Sequence, residues 1–248
     1  MSLSPSPDWR IESLGDRCLM VEFGQRVDPQ INQAVHALAN HLLEHPIAGV
    51  TDVVPAFTTV AVHYRPEAIV ADAAAGADEP RLPHQRLRAT LESLLAAGYA
   101  GVQRAPREVR IPVCYGGEFG PDLEEVAATC GMSADEVIAR HAASPHVVYM
   151  LGFAPGFPYM GGLDPALAMP RRSTPRVRIP AGTVAIAREQ SAVYTLETPG
   201  GWNLIGCTPL ALFTPRADPP TLLHPGDRIR FEPISREQFE AARRQVAP

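Results

Sequence analysis

Between Leu151 and Thr183, five glycines and six prolines surround four arginines: Arg171, Arg172, Arg176 and Arg178. Proline fixes φ, and glycine admits backbone shapes that other residues avoid, so this stretch has a dictated path. Alternate residues of an extended segment face the same way, which would aim Arg176 and Arg178 together. Two guanidiniums so placed can grip one carboxylate or phosphate, or else join a solvated network with the acidic excess. Phe153, Gly156, Phe157 and Tyr159 precede them, with rings suited to lining a small apolar pocket or filling a core. A second turn-rich stretch, Thr198 to Asn203, sets Gly200 and Gly201 before Trp202, a pocket wall or a packing anchor. Gly182 closes the arginine stretch.

Other reactive types give weaker signals. His141 follows a capped helix, and its imidazole titrates near neutrality, so it is a candidate acid or base. Pro145 interrupts the helix before His146, which removes the i, i+4 spacing of a metal pair, and no metal site is expected. Nothing in the spacing around Cys207 marks it as an activated thiol. Cys18, Cys114, Cys130 and Cys207 are widely separated and read as reduced thiols that pack as small hydrophobes.

All 22 basic residues are arginine. A chain without lysine cannot carry biotin, form a Schiff base or build a Walker A loop. Any anion it holds must be met by guanidinium forks, backbone amides or hydroxyls. The net charge of -5 and the absence of a basic stripe argue against nucleic acid as a partner. No apolar run reaches the roughly 18 residues of a membrane helix, and Met1 to Trp9 lacks the order of a signal peptide. A cytoplasmic protein acting on a small molecule is expected.

The elements that must position these residues fall into two textures. From Arg10 to Tyr64 the pattern reads strand, strand, helix, strand, strand. Arg17 to Phe23 and Thr59 to Tyr64 are strands, and Asp28 with Pro29 opens a helix carrying Ile31, Val35, Leu38 and Leu42. Arg65 to Pro83 reads as a helix and a loop, and Leu87, Leu91, Leu94 and Leu95 mark a helix ending near Gly98. Gly101 to Arg107 reads as a linker. Then come a strand at Val109 to Val113 and two helices whose starts, Asp122 with Glu125 and Ser133 with Glu136, have capping-box spacing. Short strands follow at Val184 to Ala187, Val193 to Leu196, Leu210 to Phe213 and Arg228 to Phe231, a series that favours a barrel. Ser235 and Gln238 open a last helix.

Three segments carry a resemblance: Gly152 to Leu163 (GFAPGFPYMGGL), Pro170 to Ala187 (PRRSTPRVRIPAGTVAIA) and Thr198 to Pro209 (TPGGWNLIGCTP). The chain resembles a family that contains the B-type subunit of 5-oxoprolinase, a sporulation kinase inhibitor and allophanate-hydrolase-like subunit 1. That family is similar to part of the carboxyltransferase region of urea carboxylase. The resemblance implies an α+β fold, with a small N-terminal α+β domain over 1–100 and a cyclophilin-like β-barrel domain over 101–248. It implies a subunit that works with C-type and A-type 5-oxoprolinase partners to open 5-oxoproline to L-glutamate at the expense of ATP. Alternatives within the resemblance are a component served by a biotin carrier, an allophanate- or urea-type amide hydrolase component, and a regulator of a histidine kinase. Against the family pattern, Arg188 and Ala192 replace glycines, Thr195 replaces a proline and Cys207 replaces an arginine. An added Cβ at the first two would narrow a pocket or tighten a turn.

Overall fold

Alternating burial builds the first sheet. The computed structural model describes residues 8–71, 82–98 and 107–246, and the chain divides into two compact units, Met1–Ala105 and Pro106–Pro248. In the first unit β1 (Arg10–Ser13), β2 (Cys18–Glu22), β3 (Val50–Pro55) and β4 (Thr59–Tyr64) form an antiparallel sheet in the order β1-β2-β4-β3. Leu19, Val21, Val60 and Val62 share its buried face because strand side chains alternate.

Helix α1 (Pro29–Glu44) contributes Val35, Leu38 and Leu42 to the core beneath that face. Its N-cap Asp28 accepts hydrogen bonds from the Gln30 and Ile31 amides at 2.7 and 3.3 Å. After the short α2 (Pro66–Ala71), α3 (Pro83–Ala97) adds Leu87, Leu91 and Leu95 to the same cluster, since residues four apart share one helix face. The rest of the expected Arg65–Pro83 loop, and most of the expected 101–107 linker, lie outside the described residues.

The second unit is organised by a closed barrel. Its strands are β5 (Glu108–Tyr115), β6 (His146–Leu151), β7 (Pro158–Gly161), β9 (Thr183–Ala187), β10 (Gln190–Val193), β12 (Asn203–Cys207) and β13 (Arg228–Pro233). They run in the order β10-β7-β6-β13-β5-β12-β9, and β9 pairs back to β10. Only β13 and β5 pair in parallel among the described strands. Ile111, Val113, Val148, Met160, Val184, Ile186, Ile205 and Phe231 belong to its main core. A two-stranded ribbon, β8 (Arg176–Ile179) with β11 (Thr198–Gly200), stands beside the barrel. Closure removes the exposed edges that a seven-stranded sheet would otherwise present.

Helices α4 (Leu123–Cys130), α5 (Ala134–Ala143) and α6 (Arg236–Val246) complete this unit. The caps read from spacing fare differently. Ser133 accepts from the Glu136 amide at 3.2 Å. Ser235 and Gln238 form the reciprocal box, with Gln238 Oε1 accepting from the Ser235 amide at 2.8 Å. Asp122, by contrast, makes no side-chain cap. Its carboxylate is used elsewhere.

Two expected strands are corrected. The strand placed at Val193–Leu196 is shifted: β10 ends at Val193, and Tyr194 turns into an aromatic cluster. Leu210–Phe213 is not a strand. Prolines at 209 and 215 flank it, those at 219 and 220 remove amide donors from the facing segment, and only an isolated bridge, Phe213 to Thr221, forms while Leu212 plugs the core.

Candidate functional site

The proline-stiffened stretch is anchored by one buried carboxylate. Asp122 Oδ1 and Oδ2 accept from Arg176 Nη2 and Nη1 at 2.6 and 2.9 Å, a bidentate pair. Arg172 Nη1 donates to Asp122 Oδ1 at 3.1 Å and to Glu125 Oε2 at 2.8 Å. The Leu204 amide donates to Asp122 Oδ2 at 2.7 Å, which ties the group to β12. Asp122 is thus fully occupied, as a buried carboxylate must be. A second link joins backbone to backbone, from the Arg172 amide to the Gly201 carbonyl at 2.7 Å.

Arg178, two residues along β8, takes a different partner. Its Nε and Nη2 donate to Glu197 Oε1 at 2.9 and 2.7 Å, and 75% of its side chain is exposed. The expectation that Arg176 and Arg178 converge on a single anion is therefore corrected. They share a strand, but each guanidinium is matched by its own carboxylate, one buried and one in solvent.

Both arginines line a cleft of about 670 Å³. Its wall includes Gly182, Thr183, Tyr194, Thr195, Cys207 and Thr208 from the barrel side, and Phe239 and Arg243 from α6. Gly182 is required there: its φ is +86°, and a Cβ would sit 2.6 Å from the Thr208 carbonyl oxygen. Burial pushes the Cys207 thiol up to about 11, with the positive charge of Arg243 acting in the opposite direction. The thiol is protonated at neutral pH, consistent with a packing role.

The aromatic residues gather, but in a core rather than along the cleft. Phe157 is the hub, with ring centroids 5.0 Å from Tyr159, 5.2 Å from Tyr194 and 6.2 Å from Trp202. Phe157, Tyr194 and Trp202 are buried, and Ala192 packs in the same cluster. The methyl of Ala192 therefore fills this core and does not narrow the cleft. Burial raises the Tyr194 hydroxyl to about 12, and that residue reaches both cluster and cleft. Arg171 lies over the Trp202 ring, 5.8 Å from its centroid. Phe153 is the exception, 63% exposed at a φ of 69°. Gly156 and Gly200 permit close approaches, the first to Phe213 and the second to the Tyr194 hydroxyl, while Gly201 meets only ordinary contacts.

His141 does not line the cleft. Its ring is fully buried, with Nδ1 2.8 Å from the Tyr115 hydroxyl and Nε2 3.2 Å from Ser191 Oγ. Phe231 and His146 pack on it at 4.6 and 4.8 Å. Desolvation, then the neighbouring His146, holds it well below the ordinary histidine range. The expected acid–base role is corrected: this is a neutral core histidine without access to a substrate. No group of three or more potential metal ligands occurs among the described residues. No described helix is long and apolar enough to cross a membrane.

The second unit is thus a seven-stranded closed barrel with a carboxylate-anchored arginine stretch beside a cleft. The family model described as "Carboxyltransferase domain, subdomain C and D" matches residues 9–223. The B-type 5-oxoprolinase subunit of Bacillus subtilis (strain 168) is 46% identical over 94% of this chain and 96% of its own length. The protein of the same name from Escherichia coli O157:H7 is 40% identical over 89% and 94%, respectively. The crystal structure of TTHA0988 superposes with a TM-score of 0.74 at 38% identity, covering 88% of this chain but only 40% of that longer one. The chain belongs to the family of B-type 5-oxoprolinase subunits.

Proposed function

We propose that this chain is the B-type component of an ATP-dependent 5-oxoprolinase, working with A-type and C-type subunits to open 5-oxoproline to L-glutamate. The observation that carries the reading is the Arg176–Asp122 pair at the cleft, in a chain related over nearly its whole length to proteins of that name. A lactam is a poor electrophile. Phosphorylating its carbonyl oxygen would create a leaving group and new negative charge, which donors fixed in advance would stabilise. Asp122 fixes Arg176, a residue of the cleft wall, by two hydrogen bonds, so little reorganisation is needed when that charge develops. Arg178, paired in solvent, is a weaker donor. The residues of this chain supply orientation and charge; ATP belongs to the assembled enzyme. The closed barrel supports a cyclophilin-like assignment for the second unit, and the chain's composition supports a cytoplasmic setting.

The test is reconstitution. The chain, with its A-type and C-type partners, should give ATP hydrolysis dependent on 5-oxoproline and release glutamate, and omission of the chain should abolish both. Arg176→Ala should lower turnover at least tenfold while the variant stays folded. Wild-type turnover by that variant, or full activity without the chain, would reject the reading. The family model's own description favours a second reading, a carboxyltransferase component. Since the chain has no lysine, biotin would then arrive on a partner. Biotin-dependent transfer without 5-oxoproline turnover in the same assay would select it.

A further inference from the structure

The charges around the cleft leave one cation over. Four charged side chains line it: Glu118, Arg176, Arg178 and Arg243. Arg176 is matched by Asp122, Arg178 by Glu197, and Glu118 by Arg236 at 2.7 Å. Arg236 also bonds Glu240 at 3.0 Å, so these acidic side chains beside α6 are engaged. Arg243 alone among the charged lining residues has no carboxylate within ion-pair distance among the described residues.

Arg243 is held at the cleft by construction. Phe239, one turn earlier on α6, is buried and packs on Phe119 with centroids 4.4 Å apart. Arg236 also packs over the Phe119 ring, 5.9 Å from its centroid, and Ser235 with Gln238 caps the helix start. Residues 239 and 243 are four apart and share a helix face, so anchoring Phe239 turns Arg243 toward the cleft. Its charge is felt at the Cys207 thiol across the opening. Helix α6 lies beyond residue 223, where the family match ends.

We propose that Arg243 is the anion-recognising residue of the cleft, taking the carboxylate or phosphoryl group of a small-molecule ligand. This deepens the oxoprolinase reading, on which it rests, by giving the cleft a residue for the ligand's charge, distinct from Arg176. Cys207 and Thr208, both uncharged, line the same space.

Calorimetric titration of the purified full chain tests this, with L-5-oxoproline in one series and inorganic phosphate in another. Wild type binds at least one of the two, and the anion bound identifies the group recognised. Arg243→Ala weakens that binding about tenfold or more, the range for losing a charge-assisted contact. Arg243→Lys recovers most of it, and Arg244→Ala, next along α6 but outside the cleft, leaves it unchanged. Urea unfolding of each variant separates lost binding from lost structure. Equal affinity in wild type and Arg243→Ala, or no binding of either anion by wild type, would overturn the proposal. Because the titration uses the chain alone, its outcome is independent of whether the assembled enzyme turns over 5-oxoproline.

Discussion

The carboxylate of Asp122 is 4% exposed and holds Arg176 by two hydrogen bonds, so a residue placed at a helix start instead fixes an arginine 54 positions later. Removing it leaves that guanidinium, and Arg172 beside it, without this partner in partly buried positions. Asp122→Ala should destabilise the barrel unit by about 2–3 kcal/mol, below the full range for a dry pair because Arg176 keeps contact with water. Urea unfolding measures this. An unchanged midpoint would show that the network adds nothing net.

The same residue marks the boundary of what is legible in the sequence. Strand alternation at Leu19 and Val21, and the Asp28–Pro29 helix start, are local signals, and local signals suffice for the sheet, α1 and the Ser235 box. Asp122 also carries a local signal, but a long-range demand from Arg172, Arg176 and the Leu204 amide outweighs it. Spacing alone carries no trace of that demand. Likewise the alternation of Arg176 and Arg178 is legible, whereas the choice of Asp122 for one and Glu197 for the other depends on chain paths far away. Arg243 gives no signal in the sequence for the same reason: its role requires that α6 fold back over Phe119.

Acid should weaken the barrel through its two buried histidines. Desolvation lowers His146 to about 4 and holds His141 well below its usual value. Both are neutral in the folded chain at pH 6.5, while the unfolded chain begins to bind protons there. Stability from these groups is therefore present at neutral pH and is lost as pH falls from about 6.5 toward 4. The loss amounts to about 1.4 kcal/mol per pH unit for each histidine. Unfolding free energies measured across that window should fall less steeply in His146→Gln than in wild type. Parallel slopes would mean that His146 is not buried neutral.

Helix α6 depends on a single large anchor. Phe239→Ala removes the ring that packs on Phe119, and burial of that size is worth about 3–5 kcal/mol in a core. A helix held by one buried ring can come away before the barrel opens, so the effect should be local. Amide exchange over residues 236–246 should accelerate by at least tenfold while β5, β9 and β12 stay protected. Acceleration spread evenly over the barrel would show instead that α6 and the barrel open as one unit.

Arg188 offers the opposite kind of test, a gain in stability. It turns the chain from β9 to β10 at a φ of 53°, in the left-handed region where a Cβ costs roughly 1–2 kcal/mol. Its side chain has no ion pair among the described residues to offset that cost. Glycine relieves the strain but gives the unfolded chain more freedom, an opposing effect of about 0.5–1 kcal/mol. Asparagine tolerates the same backbone with a smaller entropic penalty. Arg188→Gly should therefore raise stability by up to about 1 kcal/mol, and Arg188→Asn should do at least as well. Thermal unfolding of the two variants beside wild type measures this. Both variants melting below wild type would mean that the turn relies on the arginine side chain, and that the left-handed backbone is not the dominant cost at this position.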